Sequence, residues 1–410
     1  MTAPTVTDRR VRAAAGALLW PGVQENPGRA AAVLHDRGPV HVVGDTVLAT
    51  GHTAAAAALV HQDLWSEDAA YLAGVWPTWS EHPALRSLMR EMVNSNGAEH
   101  RSRRRRFAGA FSVRRVRAAR GAVAVTAGEA LDRTRSALLS QDSADLADAC
   151  RELPVRVIGD LLGLPREEGE WFRVRVETVT GAIADDFGGT TLPEADRATE
   201  ELHVRLAELV RRRRAEPGDD LVSAVAATGD VGDVGECADL LANLVLLWSA
   251  GYETTANLLS SAVYELLADP GLAARAAAVP ERVPALVTEP LRRETPVQMT
   301  TRCAARDVDL AGRRIPAGSR VVVHLGAAHL DPGVHPEPDA LDLDRADTRL
   351  LAFGAGPHLC LGAGLARIEA EEFVHRFLDL APELEPAGAG ERTPAPLRGH
   401  RSVPVRRRRH

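Results

Sequence analysis

One stretch of this 410-residue chain concentrates residue types able to do metal chemistry: Phe353-Gly354-Ala355-Gly356-Pro357-His358-Leu359-Cys360-Leu361-Gly362-Ala363-Gly364. Cys360 closes a glycine-rich loop, and the apolar spacing over residues 363–373 predicts a helix directly after it. A thiol there faces unpaired backbone N–H groups and the positive end of a helix dipole, both of which favour the thiolate. A thiolate binds soft or borderline metals. Gly354, Gly356 and Gly362 remove Cβ atoms around it, which suits a strained turn or the close approach of something large and flat. The same pattern fits a small buried thiol beside a flexible loop, and spacing does not separate the two readings.

A second stretch, Ala250-Gly251-Tyr252-Glu253-Thr254-Thr255, interrupts a run over residues 237–267 that is apolar nearly all round and so predicts a buried helix. Glycine in a helix interior costs about 1 kcal/mol, and β-branched threonines add to it. Ordinary bending, with threonine hydroxyls bonding back to the preceding turn, is one explanation. A functional site is the other.

The elements that must position these stretches are legible in outline. Val40–Val43, the Gly44-Asp45 turn and Thr46–Ala49 predict a β-hairpin. From there to about residue 290, Ala, Leu, Arg and Glu dominate and predict helix, apart from a long irregular connection over residues 70–98 marked by Trp76, Pro77 and Trp79. Residues 306–318 carry strand and turn signals and lead into Val321-Val322-Val323-His324, a strand expected to join the early hairpin in a small mixed sheet.

Bulk properties exclude several classes. The net charge of −7 gives no case for nucleic acid, and lysine is absent, so every basic contact falls to Arg or His. Cys150, Cys237, Cys303 and Cys360 are too scattered for a disulfide framework or a zinc site, which points to a reducing cytoplasm. The polar first dozen residues lack the apolar core of a signal peptide, and the longest apolar run, residues 240–250, is too short to span a bilayer. A soluble protein is expected.

Phe353-Gly-x-Gly-x-His358-x-Cys360-x-Gly362, continued by Ala363-Gly364-Leu365-Ala366-Arg367, resembles the haem-binding signature of the cytochrome P-450 superfamily in its soluble bacterial form. The resemblance implies that Cys360 is the thiolate ligand of a haem b iron, with Phe353, Gly354, His358 and Gly362 around the cofactor. Ala250-Gly251-x-Glu253-Thr254 is similar to the family's distal-helix signature. By that resemblance Ala250 and Gly251 make room for dioxygen, Thr254 hydrogen-bonds it, and Glu253 serves the proton relay. Reduction of O₂ consumes protons, which a buried hydroxyl beside an acid can deliver through water.

Glu99-His100-x-x-x-Arg104, followed by Ala110-Phe111, resembles the family helix whose His and Arg contact the haem propionates, and Arg302 occupies the place of a further propionate contact. The spacing of four puts His100 and Arg104 on one helical face. Arg103 and Arg106 stand where relatives carry apolar residues; with Arg105, Arg114 and Arg115 they suggest a basic docking surface for an acidic electron-transfer protein. Glu289-x-x-Arg292 fits the family's Glu-x-x-Arg element, and with Arg345 implies a structural ion-pair triad. Leu350 replaces a histidine common before the cysteine loop. Residues 399–405 resemble the family's last hairpin, with Arg406 to Arg409 as a frayed basic tail, and residues 171–193, with Asp185-Asp186-Phe187-Gly188-Gly189, resemble a variable substrate lid mobile at its glycines.

The resemblance therefore implies a mainly α, triangular haem domain with a small mixed β-region spanning residues 1–410. It implies a monomeric, cytoplasmic monooxygenase fed by a ferredoxin and its NAD(P)H-dependent reductase, inserting one oxygen atom of O₂ into a small organic molecule of secondary metabolism. The same chemistry can couple or cyclise substrates without net oxygenation, and a non-catalytic haem-thiolate sensor is a further alternative. Trp76, Trp79, Leu246, Ala250, Val297, Met299 and Arg401 fall in regions that line the substrate pocket of relatives.

Overall fold

The computed structural model describes residues 9–19, 27–184, 191–227, 234–345, 348–393 and 397–408. Eight helices position the site: α1 (Gly97–Ala108), α2 (Val113–Ser140), α3 (Leu146–Leu162), α4 (Gly169–Ala184), α5 (Leu192–Ala215), α6 (Val234–Ala268), α7 (Val283–Arg293) and α8 (Ala363–Leu380). The chain is mainly α, as expected. The apolar run reads out as α6, which crosses the middle of the fold and packs against α3, α7 and α8 on one side and α4 and α5 on the other.

Two apolar cores flank α6. One joins α2, α3, α7 and α8 through Phe373, Phe377 and Leu153, and the other joins α1, α3, α4 and α5 through Phe107, Phe172 and Trp248. Gly251 has a packing reason within them. A Cβ there would lie 3.0 Å from Ile158 Cδ1, so the glycine lets α3 and α6 approach closely.

The expected mixed sheet is present. Strands β1 (Val40–Val43), β2 (Thr46–Ala49), β3 (Leu64–Trp65), β4 (Thr300–Ala304) and β5 (Arg320–Val323) are arranged β1-β2-β5-β4-β3. β2 and β5 pair in parallel, Thr46 with Arg320 through Ala49 with Val323, and the other pairs are antiparallel.

Three expectations are corrected. The connection over residues 70–98 contains helices Ala69–Val75 and Pro83–Met89, the first capped by the Asp68 carboxylate, which accepts the N–H groups of Ala70 and Tyr71. Residues 399–405 do not form a hairpin with themselves. β8 (His400–Ser402) pairs with β7 (Glu391–Arg392), whereas β9 (Pro404–Arg407) pairs with Ala144–Asp145 and with β6 (Leu384–Pro386). Val403 alone separates β8 from β9, too little chain to reverse direction. The tail is also strand as far as Arg407, with Arg406 Nε donating to Glu385 at 2.8 Å. Arg409 and the glycines at 188 and 189 lie outside the described residues, and most of the expected lid is α4.

Candidate active site

The cysteine loop is built by positive-φ glycines and backbone bonds. Gly354 and Gly356 adopt φ of +69° and +67°, a region where a side chain is strained, and a Cβ on Gly356 would also approach Leu59 O to 3.2 Å. The Gly354 N–H donates to Leu351 O and the Cys360 N–H to Phe353 O, both at 2.8 Å. Arg367 lies over the Phe353 ring at 5.1 Å. Cys360 is thereby set just before α8, facing α6 across a cavity of about 350 Å³.

That cavity gathers most of the expected site. Leu246, Ala250, Gly251 and Thr254 line it from α6, His100 and Arg104 from α1, Val297 and Arg302 from the segment around β4, and Phe353, Gly354, His358, Cys360 and Gly362 from the loop. Burial pushes the Cys360 thiol up, against the pull of N–H groups from Gly362 and Ala363 and the charge of Arg104. Cys360 forms part of the cavity wall, and desolvation by the protein packed around it is the largest influence on the thiol. The helix N-terminus expected to make a thiolate is therefore outweighed here, and a metal ion would complete the ionisation.

One edge of the cavity is cationic and unpaired. His100 and His358 sit with ring centroids 4.2 Å apart, and His358 Nε2 lies 3.3 Å from Ser66 Oγ. Burial, with the charges of His100, Arg302 and Arg104, pulls His358 down to about 3, and burial with Arg104 and Arg101 lowers His100. Arg302 is 5% exposed, donates to Thr300 Oγ1 and Thr301 O, and has no carboxylate within ion-pair distance among the described residues. A buried guanidinium without a counter-charge is costly. Arg104 donates to Leu359 O at 2.7 Å, tying α1 to the cysteine loop. Two arginines and two histidines converging without an anion fit a ligand that carries carboxylates at one edge, as haem does.

Other residues fall elsewhere. Trp76 and Trp79 pack on Leu85, Leu192 and Ala195, and Met299 packs with Leu48 and Val322 in the N-terminal core, so none lines the cavity. Arg401 is exposed and paired with Glu391 at 2.7 Å. Arg103 is buried between Glu99 and Asp239, at 2.8 and 3.2 Å, so it belongs to the α1–α6 contact and not to a docking face. A carboxylate on α6 is what lets arginine occupy an apolar position.

Glu253 and Thr254 are neighbours in sequence but face different spaces. Thr254 Oγ1 lines the Cys360 cavity and donates to Ala250 O at 2.6 Å. Glu253 looks into a second cavity, of about 1170 Å³, between α3, α4, α6 and β8, where it accepts from Thr180 Oγ1 at 2.7 Å. Burial, reinforced by the Glu177 charge and opposed by the Thr180 bond, raises Glu253 to about 7.

The Glu289–Arg292–Arg345 triad is formed. Arg292 Nε donates to Glu289 Oε1 at 2.8 Å and Nη2 to Oε2 at 3.1 Å; Arg345 Nε donates to Oε1 at 3.1 Å. Arg292 also serves the carbonyls of His329, Pro338 and Ala340, which pins α7 to the segment before the cysteine loop.

Sequence reasoning passed over Thr180, Glu177 and Glu369. Glu369, 3% exposed on α8, borders the cavity, and burial raises it to about 8 while Oε2 lacks a partner. Its signal was an acid at a core-facing position of a helical period: Leu365, Ile368 and Phe373 share the buried face.

Comparison with known proteins agrees with this geometry. A family model described as Cytochrome P450 matches residues 282–380, from the turn before α7 to the end of α8. A putative cytochrome P450 140 of Mycobacterium tuberculosis is 36% identical over 330 residues, covering 75% of this chain and 71% of the relative. The mycinamicin IV hydroxylase/epoxidase of Micromonospora griseorubida is 35% identical over 294 residues, covering 71% and 72%. The crystal structure of CYP108D1 from Novosphingobium aromaticivorans superposes with a TM-score of 0.84 at 27% identity, covering 99% of this chain and all of that one. Among the described residues no helix is long and apolar enough to cross a membrane. With its thiol loop, cationic edge and distal helix assembled around one cavity, this chain belongs to the cytochrome P450 family of haem-thiolate oxidoreductases.

Proposed function

We propose that the protein is a haem-thiolate monooxygenase that inserts one oxygen atom of O₂ into a bulky organic small molecule of secondary metabolism. The observation that carries this reading is the convergence on one cavity of Cys360, the unpaired cationic edge and the Thr254 face of α6. Its relatives include enzymes of natural-product oxidation, such as the mycinamicin hydroxylase/epoxidase.

In this reading Cys360 would supply the thiolate ligand of the haem iron, and His100, Arg104, Arg302 and His358 would hold the carboxylates of the cofactor. When bound, haem supplies O₂ activation, with sulfur donation favouring O–O cleavage. Everything else falls to the chain. Ala250 and Gly251 keep the α6 wall thin above the cavity, while Leu246 and Val297 offer apolar surface to a substrate. The Thr254 hydroxyl can turn from Ala250 O towards the cavity, and Glu253, raised to about 7, can both hold and release a proton at neutral pH.

Electrons would come one at a time from a ferredoxin and its NAD(P)H-dependent reductase, docking at the face that exposes Arg105, Arg114 and Arg115. The test is the spectrum of the reduced, carbon-monoxide-bound protein, followed by incubation of candidate substrates under ¹⁸O₂. A thiolate-type red shift that is lost in Cys360→Ala, with label in the product, is the expected result. No red shift in the unmodified protein ends the haem-thiolate reading, and unlabelled product favours coupling over oxygenation.

A further inference from the structure

Asn243 interrupts the longest apolar run of the chain and is 1% exposed in the interior of α6. Asparagine is a poorer helix former than the leucines around it, and a buried amide needs partners. It finds them across a seam. Oδ1 accepts the Met92 N–H at 2.8 Å, and Nδ2 donates to Arg90 O at 3.0 Å and to Asp239 O, one turn back on its own helix, at 2.7 Å. These partners fix which way the amide faces, because Oδ1 takes an N–H and Nδ2 serves carbonyls.

The backbone it grips is a wall of the Cys360 cavity. Met92 and Val93 line that cavity, in a segment built around the 3₁₀ turn Met92–Asn94. A short irregular segment has no ladder or long helix to hold it, so bonds from a neighbouring element decide where it lies. Asn243 bonds the backbone on each side of Glu91, as a peptide group of an adjoining strand would. Leu246 and Leu247, three and four positions further along α6, line the same cavity. One turn before Asn243, the Asp239 carboxylate takes Arg90 Nη1 at 2.7 Å and Arg103 Nε, from α1, at 3.2 Å. One stripe of α6 therefore supplies cavity surface and, at its N-terminal end, the anchor for the segment that adjoins it.

We infer that Asn243 is a positioning residue that fixes the Met92–Val93 wall and thereby sets how wide a ligand the Cys360 cavity admits. The inference rests on the haem-thiolate reading for the nature of the site. A ligand broader than the cavity must break the two backbone bonds to displace the wall, whereas a narrow one leaves them intact. The amide thus selects by penalising the wrong ligand and adds no contact to the right one. Leucine would suit the apolar interior of α6 better, and the amide could serve Asp239 O alone; instead its acceptor and a second donor bond are placed on the wall.

Two measurements test this. Asn243→Leu keeps the size of the side chain and suits the helix but withdraws both backbone bonds. Amide hydrogen exchange over residues 90–94 should quicken at least about tenfold, while residues 255–263 of α6 keep their protection. In the haem-loaded protein, spectral titrations with imidazole and with clotrimazole, an imidazole bearing three aryl rings, read the wall. Asn243→Leu should tighten clotrimazole relative to imidazole by about tenfold, the worth of one such bond. Val93→Ala trims the wall directly and should move the same ratio in the same direction, and Asn243→Leu in that background should add less than it does in the parent. An unchanged ratio in Asn243→Leu overturns the inference. So do additive effects in the pair, or exchange that quickens equally throughout α6, which would trace the change to lost stability. A parent protein that gives no azole shift at all fails the haem-thiolate reading instead, and exchange over residues 90–94 still decides whether Asn243 holds the wall.

Discussion

The backbone N–H of Leu351 donates to Nε2 of His329 at 2.7 Å, so a wholly buried imidazole holds the segment that enters the cysteine loop. His329 Nδ1 lies 2.7 Å from Thr295 Oγ1, whose own hydroxyl is within 3.0 Å of Leu291 O; the ring is therefore the neutral Nδ1–H tautomer. His52 adds a bond to Arg349 O at 2.7 Å and meets His335 edge to face, with centroids 5.4 Å apart. Neither ring nitrogen of His335 has a hydrogen-bond partner among the described residues. These contacts stand on either side of Leu350.

Acid should therefore loosen the loop. Burial lowers His335 to about 4 and pulls His329 well below its usual value, so the folded state refuses protons that the unfolded chain accepts below about 6.5. Stability is complete above pH 6.5 and falls as pH drops towards 4, by roughly 1 kcal/mol per pH unit for each such histidine. Urea midpoints at pH 7.5, 6.5 and 5.5 check this, and His335→Phe should be more stable and less acid-sensitive. Parallel pH curves for His335→Phe and the parent would refute the assignment.

Arg302 predicts a crossover. Without an anionic ligand, Arg302→Leu removes a buried, uncompensated charge and should leave stability equal or higher. With haem bound, the same change should speed haem transfer to a scavenger protein by roughly tenfold to a hundredfold, the worth of a charge-assisted hydrogen bond. Loss of stability in both forms would count against a propionate role.

For Arg292, replacement by Leu leaves Glu289 buried and removes the guanidinium donor from the carbonyls of His329, Pro338 and Ala340, at a cost of about 3–5 kcal/mol in denaturant unfolding. Arg292→Lys should recover little, because one ammonium cannot reproduce the planar fork. A Lys variant within about 1 kcal/mol of the parent would show that charge alone suffices.

Gly251 and Ile158 should be energetically coupled. Gly251→Val forces a branched side chain against Ile158 and should cost about 2–3 kcal/mol. Gly251→Ala should cost less than about 1 kcal/mol, since helix propensity offsets the contact. In an Ile158→Val background, which deletes Cδ1, Gly251→Ala should become stabilising; additive effects in a double-mutant cycle would exclude the close approach as the reason for glycine.

The sequence made the site legible where chemistry forces residue type at fixed spacing: the cysteine loop, His100 with Arg104, and Glu289 with Arg292 are all local patterns that the fold brings together unchanged. What it hid depends on neighbours distant in the chain. Arg103 read as a surface charge because Asp239, more than a hundred residues later, is invisible from α1. Glu253 and Thr254 read as one unit, yet consecutive helical residues point about 100° apart, and only packing reveals that two cavities meet there. Thr180 had no motif, and Met299 was claimed by a core built from the N-terminal hairpin.

The parallel pairing of β2 with β5 joins residues 46–49 to residues 320–323, and Cys360 is held by contacts from α1 and from His52 through Arg349. Translated into the order of synthesis, the early hairpin must wait for more than 270 residues before its partner strand exists, and the thiol arrives only after that. Cofactor capture is accordingly a late event in the life of the chain: a truncated product can build helices, but not the place where iron would sit.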